Sequence, residues 1–159
     1  MAYPVSTVPA AVTYLISAFQ TQLSTDPNPQ IITLYVGNDP GMIDTPDLVG
    51  IEDVTRTLQH FAMVGDGEDL AMYEKYSVIV KISSSQRAAT QAEASLYLMP
   101  RVWKLLSYLE LAVRLDPSLG MEVLTAWPGR TRGGLVAVAP DLNGWICEMQ
   151  WQVDVEATQ

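Results

Sequence analysis

The sequence predicts an α+β domain: a mostly antiparallel β-sheet with two helices packed on one face, a two-layer sandwich. Three observations carry that prediction. Two long amphipathic stripes stand apart in the chain, one near the start and one after residue 83. Two segments, Tyr73 to Ser83 and Trp145 to Glu156, alternate apolar and polar residues over most of their length. That alternation is the period of a half-buried strand. The order is helix, strands, helix, three strands, which places helices together and strands together.

Composition sets the outer bounds. The chain has 159 residues, enough for one domain with a core of its own, and 48% are hydrophobic. No repeat or low-complexity tract divides it, so residues 1–159 read as a single domain. Eighteen acids stand against nine bases, a formal net charge of -9. A chain this acidic gains nothing from unspecific attraction to phosphate or anionic lipid. The single cysteine, Cys147, excludes an internal disulfide framework. Met1 is followed by Ala-Tyr-Pro without a basic segment, which predicts no signal peptide. The apolar runs are far too short for a membrane span. A reducing cytoplasm is the expected place of synthesis.

The first helix is expected from Ser6 or Thr7, either of which can cap it, with Pro9 in the first turn. Val8, Val12, Leu15, Ile16, Phe19 and Leu23 recur at spacings of three and four. Asp26-Pro-Asn-Pro29 ends it. Ile31 to Val36 reads as a strand. Gly37 to about Thr57 reads as a long acidic loop, with room for a short strand at Leu48 to Ile51. Gln59 to Val64 reads as another strand, closed by Gly65-Asp-Gly67. The span Gly37 to Glu74 holds nine acids and one base, Arg56.

In the next strand Tyr76, Val78, Val80 and Ile82 share one face. A helix follows, capped by one of Ser83 to Ser85. Its expected core stripe is Ala88, Ala92, Leu96, Met99, Trp103, Leu106, Leu109 and Val113. Pro100 is expected to kink that helix or split it, because it removes a backbone bond. Asp116-Pro117 ends it. Met121 to Trp127 reads as a strand, Pro128 to Gly134 as a turn and Leu135 to Ala139 as a strand. Asp141-Leu-Asn-Gly144 reads as a tight turn through its Asn-Gly pair. In the last strand Trp145, Cys147, Met149, Trp151, Val153 and Val155 share the core face.

No catalytic set emerges, and no enzyme, cofactor or metal is expected. His60 is the only histidine, and a general base needs an orienting carboxylate and a nucleophile in reach. Cys147 lies between Trp145 and Met149 on an apolar face, the opposite of a reactive thiol's setting. Gly65 to Asp69 is acidic but lacks calcium-loop spacing. The glycine-rich stretches at Gly37 and Gly129 lack the spacing and lysine of a phosphate loop. Methionines 63, 72, 99, 121 and 149 sit in apolar runs and read as core filler.

Charge leaves two candidate contact elements. Arg130 and Arg132 stand together in a glycine-rich turn. They read either as an ordinary solvated turn or as an arm that grips an acidic partner or a phosphate. The acids of the long loop, Asp39, Asp44, Asp47, Glu52 and Asp53, read as an interaction element, since loops of that length are usually functional or disordered.

Several passages together resemble tail terminator and tail completion proteins of long-tailed bacteriophages. The amphipathic helix Val8 to Leu23 leads into Ile31 to Gly37. An acidic loop precedes Val64-Gly-Asp66 and Glu74-Lys-Tyr-Ser-Val-Ile-Val80. A long helix closes in Arg114-Leu-Asp-Pro-Ser-Leu-Gly120, and a terminal hairpin follows. The resemblance spans most of the chain, and Pro100 departs from the unbroken helix it implies. It implies a homo-hexameric ring at the head-proximal end of the tail tube, part of the virion. Such a ring ends tube polymerisation and sits between the major tail tube protein and the head-tail connector or stopper. Genomic DNA passes through its lumen without specific binding, and acids on that wall would repel phosphate. No catalytic residue and no membrane partner are implied. Another head-tail joining protein, and a small α+β ligand-binding domain, are the competing readings.

Overall fold

A computed structural model describes residues 5–38, 45–60, 72–87, 90–139 and 143–158. Helix α1 spans Val8–Leu23 and leads through a short 3-10 turn, Pro29–Ile31, into strand β1, Ile32–Val36. Strands β2 (Asp47–His60) and β3 (Met72–Arg87) follow, then helix α2 (Gln91–Leu115) and strands β4 (Thr125–Ala139) and β5 (Gly144–Thr158). The five strands lie in the order β1-β2-β3-β5-β4. β1 runs parallel to β2, and every other pairing is antiparallel. Both helices pack on one face of the sheet, as the sequence predicts.

The alternation in β3 and β5 decides which face is covered. Tyr76, Val78, Val80 and Ile82 are buried, as are Cys147, Met149, Trp151, Val153 and Val155. Trp145 is partly buried and packs on that core. In α1, Ala11, Leu15, Phe19 and Leu23 are buried, with Val8, Val12 and Ile16 at the margin. Phe19 meets Trp151 with ring centroids 6.2 Å apart, so α1 closes over the middle of the sheet.

Four expectations are corrected. The long acidic loop is much shorter than Gly37 to Thr57, because β2 begins at Asp47 and absorbs the expected short strand Leu48 to Ile51. A bulge between Ile51 and Asp53 hides the strand from a period-2 reading. Val49 and Ile51 face the core before it and Val54 after it, so the phase slips by one residue. Of the strand expected at Gln59 to Val64, Gln59 and His60 form the end of β2, and the remainder lies outside the described residues.

The second correction concerns α2. Its N-cap is Thr90 rather than any of Ser83 to Ser85, in a capping box with Glu93. Ser83 and Ser84 are instead buried within β3. The helix runs through Pro100 without splitting. Pro100 is on the exposed side, where the carbonyl it leaves without an amide can be hydrated. The third correction is the stripe. The buried residues are Ala94, Leu98, Val102, Leu105, Leu106, Leu109, Ala112 and Val113, while Leu96 is 81% and Trp103 47% exposed. Apolar residues surround most of this helix, so periodicity alone allows more than one phase.

Finally, Pro128 to Gly134 is not a turn. The chain turns before Thr125, with Leu119 and Met121 at positive φ, and β4 then runs unbroken to Ala139. Register shifts between Pro128 and Thr131 and between Gly133 and Leu135 absorb the glycines. A Cβ at Gly133, whose φ is +92°, would lie 2.6 Å from the Glu148 carbonyl oxygen. The turns expected at Gly65 to Gly67 and, for residues 140–142, before Gly144 lie outside the described residues.

Candidate functional site

Two buried ionic clusters fasten α1, one at each end. At its C-terminal end Asp26 follows the helix and meets α2, and Asp47 of β2 shares the same arginine. Arg101 of α2 donates from Nη1 and Nη2 to the two Asp26 carboxylate oxygens, at 2.7 and 3.1 Å. Its Nε donates to Asp47 Oδ2 at 2.7 Å. Tyr108 Oη and the Asn28 amide also donate to Asp26, and Ser84 Oγ donates to Asp47. Both aspartates are buried, and the Arg101 side chain is only 11% exposed. The Arg101 bonds hold Asp26 down to about 2 against the opposing effect of burial. Burial disfavours the Arg101 charge, but the bonds to Asp26 and Asp47 outweigh it and raise its pKa.

At the N-terminal end Glu74 of β3 is fully buried beneath the start of α1. Ser6 Oγ donates to it at 2.6 Å, the Thr7 amide at 3.0 Å and Thr7 Oγ1 at 2.9 Å. Arg56 of β2 pairs with Glu74 Oε1. Burial pushes the Glu74 pKa up, and the donors from Ser6, Thr7 and Arg56 more than reverse it, so it ends below its ordinary value. Tyr76 beside them is pushed up to about 12 by burial. The carboxylates in both clusters have their acceptor sites occupied by fixed donors, which suits anchoring rather than proton transfer.

The face of the sheet away from the helices is largely polar, with Trp127 and Leu135 exposed on its β4 side. Lys75 pairs with Glu156 across β3 and β5 at 3.0 Å, and Lys81 with Glu148 at 3.4 Å. Asp154 accepts from Ser77 Oγ and Gln152 Nε2. A shallow groove of about 390 Å³ crosses this face, lined by Glu52, Lys81, Arg132, Glu148 and Gln150 from four strands. Its acids and bases alternate, so it offers a mixed-charge surface and not a uniform field.

The expected contact residues are scattered by this arrangement. Arg132 enters the groove opposite Gln150, while Arg130 is exposed in the bulge of β4; neither stands on a protruding hairpin tip. Glu52 is exposed beside the groove and accepts from Tyr35 Oη at 2.7 Å. Asp53 is exposed and accepts from the Val54 amide. Asp47 is corrected from loop contact to buried anchor, since its side chain is spent on Arg101 and Ser84. Asp39 and Asp44 lie outside the described residues. His60 ends β2 at the Met72 pairing, and its side chain is likewise not described. Cys147 is in the core, and burial raises its thiol pKa.

Arg101, Asp26 and Glu74 were not singled out from the sequence. One signal was present: a single arginine between Leu98 and Val102 on an otherwise apolar stripe must find a buried anion. Among the described residues no group of three or more His, Cys, Asp or Glu is placed to hold a metal ion. No helix among them is long and apolar enough to cross a membrane. No protein-family model matches the chain, and no curated protein matches it.

Proposed function

We propose that this chain is a structural subunit of a phage virion, a tail terminator that assembles into a ring at the head-proximal end of the tail tube. The observation that carries the reading is the one-sidedness of the sheet. Among the described residues, helices cover one face, the other is largely polar, and β1 and β4 are the edge strands of the sheet. A block of that shape can be set side by side around an axis with its polar walls aligned. The likeness of the sequence passages to tail terminators supplies the identity of the tube.

In this reading six copies form the ring. One rim meets the major tail tube protein and stops its growth, and the other meets the head-tail connector or stopper. DNA passes through the lumen. The polar wall suits that passage because its lysines are paired with glutamates across the strands, leaving few bases free for phosphate. Arg130 and Arg132 remain exposed for contacts with acidic protein surfaces. No catalysis is assigned to the chain.

Removing the gene product from an infection tests the proposal. Tails of abnormal length that do not join DNA-filled heads are the expected outcome. Tails of normal length that stay separate from heads would shift the reading to a head-tail joining protein. Normal tails joined to heads would end both readings.

A further inference from the structure

The loop after α2 is held in a conformation that its residues do not favour. Asp116 accepts from the Ser118 amide at 3.1 Å and its hydroxyl at 2.6 Å, from the Gly120 amide at 2.8 Å and from Tyr14 Oη at 2.9 Å. Around that carboxylate Leu119, Gly120 and Met121 take φ of +49°, +73° and +66°. Left-handed backbone suits glycine and disfavours any residue with a Cβ. Leu119 is fully buried, so packing of its side chain accounts for its conformation. Met121, expected as core filler, is 89% exposed, and packing within the chain does not account for its own. Leu124 is 57% exposed, while Val123 between them and the core is buried and ties the loop down. The loop is therefore a fixed apolar knob that carries one exposed acid, Glu122.

A hollow of about 360 Å³ opens on the other half of α2, lined by Pro27, Ile31, Leu96, Tyr97, Pro100 and Lys104. Its lining is mostly apolar, and Leu96 and Tyr97 are exposed. Asp26 and Arg101, which also border it, are paired with each other. Lys104 is the charge left over: it rests 6.0 Å from the Tyr108 ring and makes no ion pair among the described residues. Glu122 of the knob makes none among them either. From Pro100 to Leu115 the helix advances about 22 Å, so a copy cannot seat its knob in its own hollow.

We infer that the Met121 and Leu124 knob of one copy seats in the hollow beside Leu96 and Pro100 of a second copy, with Glu122 facing Lys104. The occupant is another copy because the two surfaces complement each other. Each is apolar, and each carries one unpaired charge, of opposite sign on the two. Docking takes both apolar surfaces out of water and gives the two charges a partner. It also explains the left-handed Met121: a knob fixed in advance by Asp116 loses little freedom when it docks. Two different surfaces meet, so the contact is head-to-tail and can close a ring. This deepens the ring reading and rests on its self-association, though not on the ring's belonging to a tail.

Charge reversal tests the pairing, with oligomer mass followed against concentration. Lys104→Glu and Glu122→Lys should each raise the concentration needed for assembly about tenfold or more, and the protein carrying both should recover it. Oligomers unaffected by either single change, or not recovered by the pair, would overturn the inference while leaving the ring reading standing. A wild-type chain that stays monomeric would remove both. Met121→Gly separates docking from folding, because glycine accepts the left-handed backbone without a side chain to dock. Dilute, dissociated Met121→Gly should keep or raise its melting temperature while assembly weakens. Unchanged assembly, or a melting temperature that falls along with it, would overturn the inference. Cross-linking fixes the partner surface: Met121→Cys and Leu96→Cys proteins, mixed, should form a disulfide-linked pair that neither forms alone, native Cys147 being buried. A linked pair from Met121→Cys alone would overturn the head-to-tail contact in favour of a symmetric one.

Discussion

The two ends of α1 are held by the same kind of bond in opposite arrangements. At the C-terminal end one cation, Arg101, serves two buried carboxylates. At the N-terminal end one buried carboxylate, Glu74, is served by a cation, two hydroxyls and an amide. Arg56 there is 34% exposed, so its departure leaves Glu74 with donors from Ser6 and Thr7. Without Arg101, Asp26 keeps Tyr108 Oη and the Asn28 amide and Asp47 keeps Ser84 Oγ, but two buried charges lose the cation they share. The difference shows that the cost of losing a cation grows with the number of buried carboxylates it balances.

The largest effect should follow Arg101→Met, which leaves Asp26 and Asp47 buried without a counter-charge. Breaking such a cluster from one side costs about 3–5 kcal/mol. Urea unfolding should show the unfolding free energy falling by that amount, and a loss below about 1 kcal/mol would refute the anchoring role.

Acid separates the clusters next. Asp26 has a folded pKa of about 2 against an ordinary 3.8. A depressed carboxylate stabilises the fold fully above its unfolded pKa and loses that contribution as pH falls through the folded value. Between roughly pH 5 and pH 1 the protein should therefore lose about 2–3 kcal/mol from this group. Asp26→Asn should be less stable at pH 6 and show a flatter slope below pH 4. Parallel curves for the two proteins would contradict the pairing.

Arg56→Met should be milder, about 1–2 kcal/mol, since Glu74 keeps its hydroxyl and amide donors. Thermal unfolding of this variant beside Arg101→Met sharpens the comparison directly, and equal losses would erase it. The smallest effect on stability should come from Arg130→Glu with Arg132→Glu. Both side chains are exposed, so unfolding should change by no more than about 0.5 kcal/mol. Assembly, measured by solution mass and ring imaging, should nonetheless weaken.

Parts of this fold were legible in the chain because their pattern is local. The alternation in Tyr76 to Ile82 and in Cys147 to Val155 names the buried face residue by residue, and α1 declares its stripe and its proline-marked end. β2 was obscured by one extra residue at its bulge, which breaks the period in the middle of an acidic stretch. α2 was recognisable as a helix but not in its rotation, because Leu96 and Trp103 are as apolar as the Leu98 and Val102 that won the core. The glycines of β4 read as a turn because their tolerance for positive φ serves a bulge as well as a hairpin.

The sequence by itself determined the class of fold, the helix ends at Asp26 and Asp116, and the core faces of β3 and β5. These follow from periodicity and capping within a few residues of chain. Only the tertiary structure decided that Asp47 is an anchor and not a surface acid. Its partner Arg101 is 54 residues away, and Arg101 reaches Asp26 across 75. An acidic side chain reads the same on the surface and beneath a helix, and only packing brings the one cation that makes its burial affordable.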